Sequence, residues 1–317
     1  MDLITIGETM VCFSSRQMGQ LEAFPDLSKS IGGAETNTAI GLARLGKEVG
    51  WISKLGDDPF GNQILKTVRG EGVDVSQVQL STESPTGIMF KEILSKEQVH
   101  VYYYRRNSAA STLTIKEIPF QYIKKAKRIH LTGITPALGE TSLKTVLEVM
   151  KFCKQEGIVI SFDINMRLKL WSEVDARLAF TKLYQYIDIL FLSEDEAKIC
   201  ANSRDISASI TALKKKLPEK TMLVVKKGER GASALCGNKT YNSKALKNVF
   251  VVDTVGAGDA FNAGFLYGQM EGLSIEESLT IGNWCGASVV AQLGDYHGAP
   301  SIKELNAYQN NDKTIER

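Results

Sequence analysis

The most informative pattern in the chain is DTVGAGDAFNAGFL, residues 253–266. Gly256, Ala257 and Gly258, three residues with little or no side chain, open a run with helical periodicity. Backbone N–H groups at such a turn point outward at the positive end of a helix dipole, which favours an anion. The stretch therefore predicts a phosphate-binding turn, followed by a helix whose first turn contains Asp259.

Asp259 is either a helix cap or a general base, and we favour the base. The stretch contains no basic residue, and an acid beside a phosphate cradle is unfavourable unless it takes part in chemistry. Its carboxylate would accept the proton of a substrate hydroxyl whose oxygen attacks the γ-phosphate of ATP. Because that proton moves late in a loose transition state, a carboxylate of ordinary or lowered pKa suffices.

Composition excludes several classes of protein. With 317 residues, 43% hydrophobic and 23% charged, the chain is globular and long enough for one large α/β domain. A formal charge of +2 is far below what sequence-independent nucleic-acid binding requires. Five scattered cysteines indicate neither a metal cluster nor a disulfide framework, and we expect a cytoplasmic protein with no export signal and no membrane contact.

Short apolar runs alternate with stretches of helical periodicity, which is typical of βαβ units around a parallel sheet. The runs are Leu3–Ile6, Ile129–Leu131, Ile158–Phe162, Ile187–Leu192 and Met222–Val225. They predict a three-layer α/β/α core in a single domain spanning residues 1–317.

Two segments, about 11–35 and 86–108, interrupt this alternation. The second contains two extended stretches joined around Ser95–Glu97, with no helix between them. A sheet of about four short strands would have no core of its own and must cover something, so we predict a lid over the active site. Its unpaired edges predict a homo-oligomer formed through the lid.

A second glycine-rich motif, GGAETNTA, occupies residues 32–39. By itself it is explained equally well by a turn before a helix capped by Asn37. The following GLARLGK is close to a P-loop, but Glu48 replaces the magnesium-binding hydroxyl and we expect a helix C-terminus at Gly46. No Gly-x-Gly-x-x-Gly follows the first strand, which argues against a nicotinamide dehydrogenase.

Together, GGAETNTA and DTVGAGDAFNAGF resemble the two signatures of the ribokinase-like PfkB carbohydrate kinases, with a departure at Glu35. The motifs DINMR at 163–167 and KKGERG at 226–231 fall in the family's order. The resemblance implies a ribokinase-like fold, Asp259 as catalytic base and an anion hole at 256–258. It also implies contacts to ATP from Asn165, Ser193, Lys226, Gly228, Arg230, Gly231, Gly256 and Gly258. Glu196 would orient the water ligands of Mg²⁺.

Two arginines point to the substrate. Arg167 follows a predicted core strand at its carboxyl end, where open α/β sheets bind ligands. Arg105 shares a strand face with Tyr103 in YYYRRNSAAS, although either face of that strand could meet the site. A guanidinium matches a carboxylate in shape and charge, so a pair of them favours a sugar acid over a neutral sugar.

The runs YYYRRNSAAS, FDINMRLKLW and LGDYHGAP are similar to 2-keto-3-deoxygluconate kinases. The resemblance implies Gly33, Tyr103, Arg105, Arg167 and Asp295 as substrate residues, with Asp295 near either the sugar or the nucleotide. The primary hydroxyl would receive the phosphate. Fructokinase and 5-dehydro-2-deoxygluconokinase remain open as alternatives. A non-catalytic nucleotide or sugar sensor is a more distant one, because such a sensor is expected to lose the base or the glycine turn.

Overall fold

The computed structural model describes residues 1–15, 17–95 and 98–310, and it contains a large and a small β-sheet. The strands are β1 Leu3–Ile6, β2 Met10–Ser14, β3 Ser28–Gly32, β4 Val49–Gly56, β5 Asp74–Ser81, β6 Ile88–Ile93, β7 Val99–Tyr104, β8 Arg128–Thr132, β9 Val159–Asp163, β10 Ile189–Ser193, β11 Met222–Lys226, β12 Ala232–Cys236 and β13 Lys239–Ser243.

The helices lie on both faces of the large sheet. They are α1 Ala34–Arg44, α2 Pro59–Gly70, α3 Phe120–Ile123, α4 Ile134–Ala137, α5 Glu140–Gln155, α6 Glu173–Leu183, α7 Glu194–Ala201, α8 Ile206–Lys216, α9 Ala257–Met270, α10 Ile275–Val290 and α11 Ile302–Gln309. Short 3₁₀ turns cover Leu21–Ala23, Ala109–Thr112, Ile115–Glu117, Tyr184–Tyr186 and Gly228–Arg230. Within the described ranges, no helix is long and apolar enough to cross a membrane.

The large sheet has the strand order β13-β12-β11-β10-β9-β8-β1-β4-β5. Its strands are parallel from β11 to β5, and β12 and β13 add an antiparallel edge. Side chains alternate between two buried layers: Leu3 belongs to one, while Ile4 and Ile6 belong to the other. The predicted three-layer α/β core is confirmed.

The small sheet has the order β3-β2-β6-β7. Its inner face buries Met10 and Met89 against partly buried Tyr103, whereas Tyr102 and Tyr104 point outward with 44% and 66% of their surface exposed. Strands β6 and β7 pair antiparallel. The predicted turn between them includes Lys96 and Glu97, which lie outside the described residues.

Two close approaches that require glycine fix the position of α9. Gly256, just before the helix, has φ +82°, and a Cβ atom there would collide with the backbone carbonyl of Asp295 in the loop after α10. A Cβ at Gly41 would lie 2.8 Å from the Cβ of Ala263, so glycine lets α1 pack directly on α9. The start of α9 is thus packed against the loop after α10, and its middle is packed against α1.

The expectation that Asn37 caps α1 is wrong. The helix begins at Ala34 with Gly33 as its N-cap, so Asn37 lies within the helix and its backbone N–H donates to the Gly33 carbonyl. Its side chain is therefore available for another partner. The helix end expected at Gly46 lies within two residues of the observed end, because α1 ends at Arg44. Gly46 itself has φ +82°.

Candidate active site

A cavity of about 400 Å³ lies where the carboxyl ends of β9, β10 and β11 face the small sheet and the start of α9. We call it the charged cavity. The predicted site residues that line it are Gly33, Tyr103, Arg105, Asn165, Arg167, Ser193, Glu196, Asp259 and Asp295, together with Lys226, Gly228, Gly256 and Gly258. Side chains from distant parts of the sequence thus meet at the edge where a doubly wound sheet binds ligands.

A second cavity of about 710 Å³, here called the apolar cavity, adjoins the first. Its walls include Leu246, Val249, Val251 and Val290, and the predicted residues Gly231 and Ala257 line it. Lys226, Gly228, Thr254 and Gly258 line both cavities. The predicted phosphate turn therefore lies at the junction of a charged and an apolar compartment.

Asp259 is buried and points into the charged cavity. The side-chain amide of Asn37 donates to its Oδ2 at 2.8 Å, and that of Asn165 contacts its Oδ1 at 3.3 Å. The hydroxyl of Thr38 donates to the Asp259 backbone carbonyl at 3.3 Å. Both carboxylate oxygens are thus held in place by neutral donors from α1 and from the loop after β9.

Burial raises the pKa of Asp259 to about 7, and the negative charge of Asp163 adds to the rise. The hydrogen bond from Asn37 and the charges of Lys226 and Arg167 act in the opposite direction. The sequence argument did not require a raised pKa, and the structure shows that the surroundings of Asp259 raise it. A carboxylate that titrates near neutrality is a better base than an ordinary aspartate, while a substantial fraction stays ionised at pH 7.

The phosphate turn keeps most of its donors free. Among the described residues, no acceptor contacts the backbone N–H of Gly256 or of Gly258, and the N–H of Ala257 makes only a long 3.4 Å contact to the Thr254 carbonyl. A Cβ at Gly258 would lie 3.3 Å from Lys226 Nζ. An anion at the turn would thus meet backbone donors and an ammonium group together.

Lys226 is held in position by a small polar network. Its Nζ donates to Asp163 Oδ2 at 2.6 Å, and the Asn262 amide donates to the same oxygen at 2.6 Å. Although burial lowers the pKa of Lys226, the nearby charge of Asp163 raises it above its ordinary value overall. The ammonium therefore stays charged at the junction of the two cavities.

The two predicted arginines differ in their surroundings. Arg105 is buried, its Nε donates to Glu8 Oε2 at 2.7 Å, and its guanidinium lies 5.5 Å from the centre of the Tyr103 ring. Arg167 lines the same cavity and donates to the Met166 carbonyl at 3.1 Å, and no carboxylate in the described part of the chain pairs with it. Arg167 is thus free to bind an anion, whereas the charge of Arg105 is already matched by Glu8.

Ser193 and Glu196 form a capping box at the start of α7. Glu196 Oε2 accepts the Ser193 backbone N–H at 2.7 Å, and its Oε1 accepts the Met166 N–H at 2.7 Å. Each oxygen accepts one backbone hydrogen bond and keeps further acceptor capacity, and Glu196 lines the charged cavity. No group of three or more potential metal ligands occurs among the described residues, so this donor set fits a magnesium ion only through its water ligands.

Arg230 does not line either cavity. Its side chain is 67% exposed and pairs with Glu194 on the surface. The backbone of the 3₁₀ turn Gly228–Arg230 lies along the apolar cavity instead, since Gly228, Glu229 and Gly231 line it. The prediction of a nucleotide contact is therefore not supported for the Arg230 side chain.

Four polar side chains that line the charged cavity were not predicted as site residues from the sequence: Asn37, Lys91, Asp163 and Thr254. Asn37 was interpreted as a helix cap. Lys91 lies opposite Val101 in the β6–β7 ladder, two residues along from the Met89–Tyr103 pair. The two-residue period of β6 therefore places Lys91 on the same face as Tyr103, which is a signal that the sequence does carry.

Residues 1–302 match the sequence model of the pfkB family carbohydrate kinases. The 2-dehydro-3-deoxygluconokinase of Bacillus subtilis (strain 168) is 36% identical over 320 residues, covering 100% of this chain and 98% of that protein. The 5-dehydro-2-deoxygluconokinase of Clostridium beijerinckii is 29% identical over 327 residues, covering 99% and 94%.

Among solved structures, an uncharacterized sugar kinase from Pyrococcus horikoshii in complex with ATP superposes with a TM-score of 0.85 at 27% identity. The match covers 99% of this chain and 100% of that one. The architecture described above is therefore similar to that of this solved kinase over its full length.

Proposed function

The chain belongs to the pfkB family of carbohydrate kinases, and we propose that it transfers the γ-phosphoryl group of ATP to the primary hydroxyl of 2-keto-3-deoxygluconate. The product is 2-keto-3-deoxy-6-phosphogluconate. The observation that carries the choice of a sugar acid as substrate class is the Arg167 guanidinium, which lines the cavity of Asp259 and has no acidic partner among the described residues.

In this proposal, the apolar cavity takes the adenosine of ATP and the junction takes its phosphates. The sugar acid occupies the charged cavity with its hydroxyl against Asp259. Asp259 accepts the hydroxyl proton while the oxygen forms a bond to the γ-phosphorus and the bond to the β-phosphate oxygen breaks. The amides of Gly256 and Gly258 and the ammonium of Lys226 stabilise the charge on the moving phosphoryl group.

Magnesium would enter with ATP, where it supplies positive charge against the phosphate oxygens. Glu196 is the residue proposed to hold it, through water. The support is that Glu196 lines the cavity and that each of its oxygens accepts a single backbone hydrogen bond. Ser193 is engaged by the same helix cap, so its part is to orient Glu196.

The sugar carboxylate is proposed to bind Arg167, while Tyr103 and Arg105 shape the wall beside it. A guanidinium with an acidic partner has less affinity for a second carboxylate, because much of its charge is already matched, and the Nε of Arg105 already donates to Glu8. Asp295 lines the cavity on the opposite side, beside the phosphate turn, where a sugar hydroxyl or a phosphate is within its reach.

A second candidate is 5-dehydro-2-deoxygluconate. It is favoured by the 29% identity to the Clostridium beijerinckii kinase named for it. This compound also carries a carboxylate, so the arginine argument does not separate the two. The proposed preference follows the higher identity, 36%, to the Bacillus subtilis enzyme.

A substrate panel tests the proposal. With Mg-ATP, we expect fast phosphorylation of 2-keto-3-deoxygluconate and slow phosphorylation of fructose, ribose and the methyl ester of the sugar acid. Arg167→Ala should raise KM for the acid about 30-fold, with a smaller change for the ester. Arg105→Ala serves as the comparison, because the guanidinium that it removes is already paired with Glu8. Equal rates on fructose would contradict the substrate class, and higher rates on 5-dehydro-2-deoxygluconate would select the second candidate.

The outer face of the small sheet is a proposed contact between two copies of the chain. Its support is the exposure of Tyr102 and Tyr104 beside the edge strand β7. Light scattering on the purified protein measures the mass directly. A monomer at micromolar concentration would contradict this assembly without affecting the proposed reaction.

A further inference from the structure

A buried lysine connects the small sheet to the phosphate turn. Lys91 extends from the inner face of β6, and its side chain is 4% exposed. Its Nζ lies 2.5 Å from Asp253 Oδ2 and 3.3 Å from Asp295 Oδ1. Neither acid lies in the small sheet. The cluster of three charges therefore links the small sheet to the loops before α9 and after α10.

Asp253 belongs to the turn that ends at Gly256, and Asp295, in the loop after α10, packs against that turn. Asp253 Oδ1 accepts the Val255 N–H at 3.1 Å, and its Oδ2 accepts the Gly294 N–H at 3.3 Å. The backbone carbonyl of Asp295 packs against the Cα of Gly256. A shift of either carboxylate would therefore move the backbone that carries the phosphate-binding amides.

The charges in this cluster also act on the ligand. Two buried carboxylates close to the turn would repel the phosphates of ATP unless a cation compensates them. Lys91 is the cation that contacts both. Although burial lowers its pKa, Asp295 and Asp253 raise it above the ordinary value overall, so the ammonium stays charged.

We propose that Lys91 is a positioning residue for phosphotransfer, whose ammonium neutralises Asp253 and Asp295 and holds the phosphate turn against the small sheet. The inference rests on the phosphotransfer proposed above. Met89 pairs with Tyr103 in the same sheet, so the strand that carries Lys91 is hydrogen-bonded to the strand whose Tyr103 lines the charged cavity. Lys91 thus links the wall beside the acceptor to the phosphate turn.

The first test is chemical rescue of Lys91→Ala. The sugar used is whichever one the wild-type protein phosphorylates fastest in the panel, so the test does not depend on the identity assigned to the substrate. We expect kcat to fall about 100-fold with the KM for ATP changed by less than about threefold. Propylammonium should restore kcat about tenfold by entering the space left by the side chain, and tetramethylammonium at equal ionic strength should not.

Lys169→Ala is the matched control. Lys169 also contacts the small sheet, since its Nζ donates to the Val101 carbonyl at 2.7 Å, but it is exposed and pairs with no acid in the described part of the chain. We expect its kcat to stay within about twofold of wild type and to be insensitive to propylammonium. Wild-type kcat in Lys91→Ala, or a loss that propylammonium does not reverse, would overturn the positioning role.

A second test measures thermal stability instead of activity. Its outcome therefore does not depend on whether the proposed reaction is correct. Lys91→Met keeps most of the side-chain volume but leaves two buried acids without a cation, and should lower Tm. Adding Asp295→Asn to it should recover part of the loss, although Asp295→Asn alone lowers Tm. Strictly additive shifts would mean that the pair is not coupled and would overturn the inference, whatever the substrate panel shows.

Discussion

The two cavities differ in where their walls come from. The apolar cavity is built from three stretches near the C-terminus, within residues 226–231, 245–261 and 283–290. The charged cavity collects side chains from Met10 to Asp295 and from both sheets. The proposed nucleotide site is thus a nearly local property of the chain. The proposed site of sugar binding and proton transfer depends on the complete tertiary structure.

The difference extends to the chemistry of the walls. The apolar cavity offers side chains such as Leu246 and Val251, whose contribution to binding grows with the area that they bury. The charged cavity places Asp259, Lys226 and Arg167 near one another under burial, where each charge changes the pKa of its neighbours. Substitutions should therefore affect turnover on one side and nucleotide affinity on the other.

The largest effect is expected for Asp259→Asn. Loss of the base should lower kcat by about 10³-fold or more while ATP still binds. Burial also raises the pKa of Asp259 above its unfolded value, so ionisation costs stability progressively as the pH rises to about 7. The variant should consequently have a higher Tm than wild type at pH 8. Steady-state kinetics measure kcat, titration calorimetry measures ATP binding, and thermal unfolding measures Tm. Retained turnover would show that Asp259 is not the base.

An intermediate effect is expected from pH. Because burial raises the pKa of Asp259 to about 7, kcat/KM for the sugar should rise by about tenfold between pH 6 and pH 8 and then level off. The carboxylate of a sugar acid is ionised throughout this range, so its binding adds no slope. Residual turnover of Asp259→Asn is the control and should lack the rise. A flat wild-type profile would mean that Asp259 does not titrate there.

The smallest effect is expected on the apolar side. Leu246→Ala removes part of the cavity wall and should raise the KM for ATP about fivefold, with kcat within about twofold of wild type. The KM for the sugar should stay unchanged, in contrast to Arg167→Ala. A large loss of kcat in Leu246→Ala would contradict the expectation that the apolar cavity affects nucleotide affinity and not turnover.

The residues that were predicted correctly for the charged cavity lie in short motifs. Gly256, Gly258 and Asp259 are neighbours in the sequence, so the turn and the acid after it are visible without a fold. The same holds for Asn165 and Arg167 at the end of β9. Their position follows from one rule, that loops at the carboxyl ends of parallel strands share one edge of the sheet.

The errors concern partners that are distant along the chain. Glu8 is separated from Arg105 by 97 residues, and Asn37 from Asp259 by 222. Without these pairs, Arg105 looked equivalent to Arg167 and Asn37 looked like a helix cap. Arg230 failed for a local reason, because the 3₁₀ turn lines the cavity with backbone and directs that side chain to the surface.

The order of strands and helices, the glycine turn and the identity of the acid after it were all available from the residue pattern, because propensity, periodicity and φ preference act between near neighbours. The raised pKa of Asp259, the pairing of Arg105 with Glu8 and the bridge through Lys91 emerged only in three dimensions. Burial and Coulomb interaction depend on distances between residues far apart in the chain, and packing of the whole molecule sets those distances.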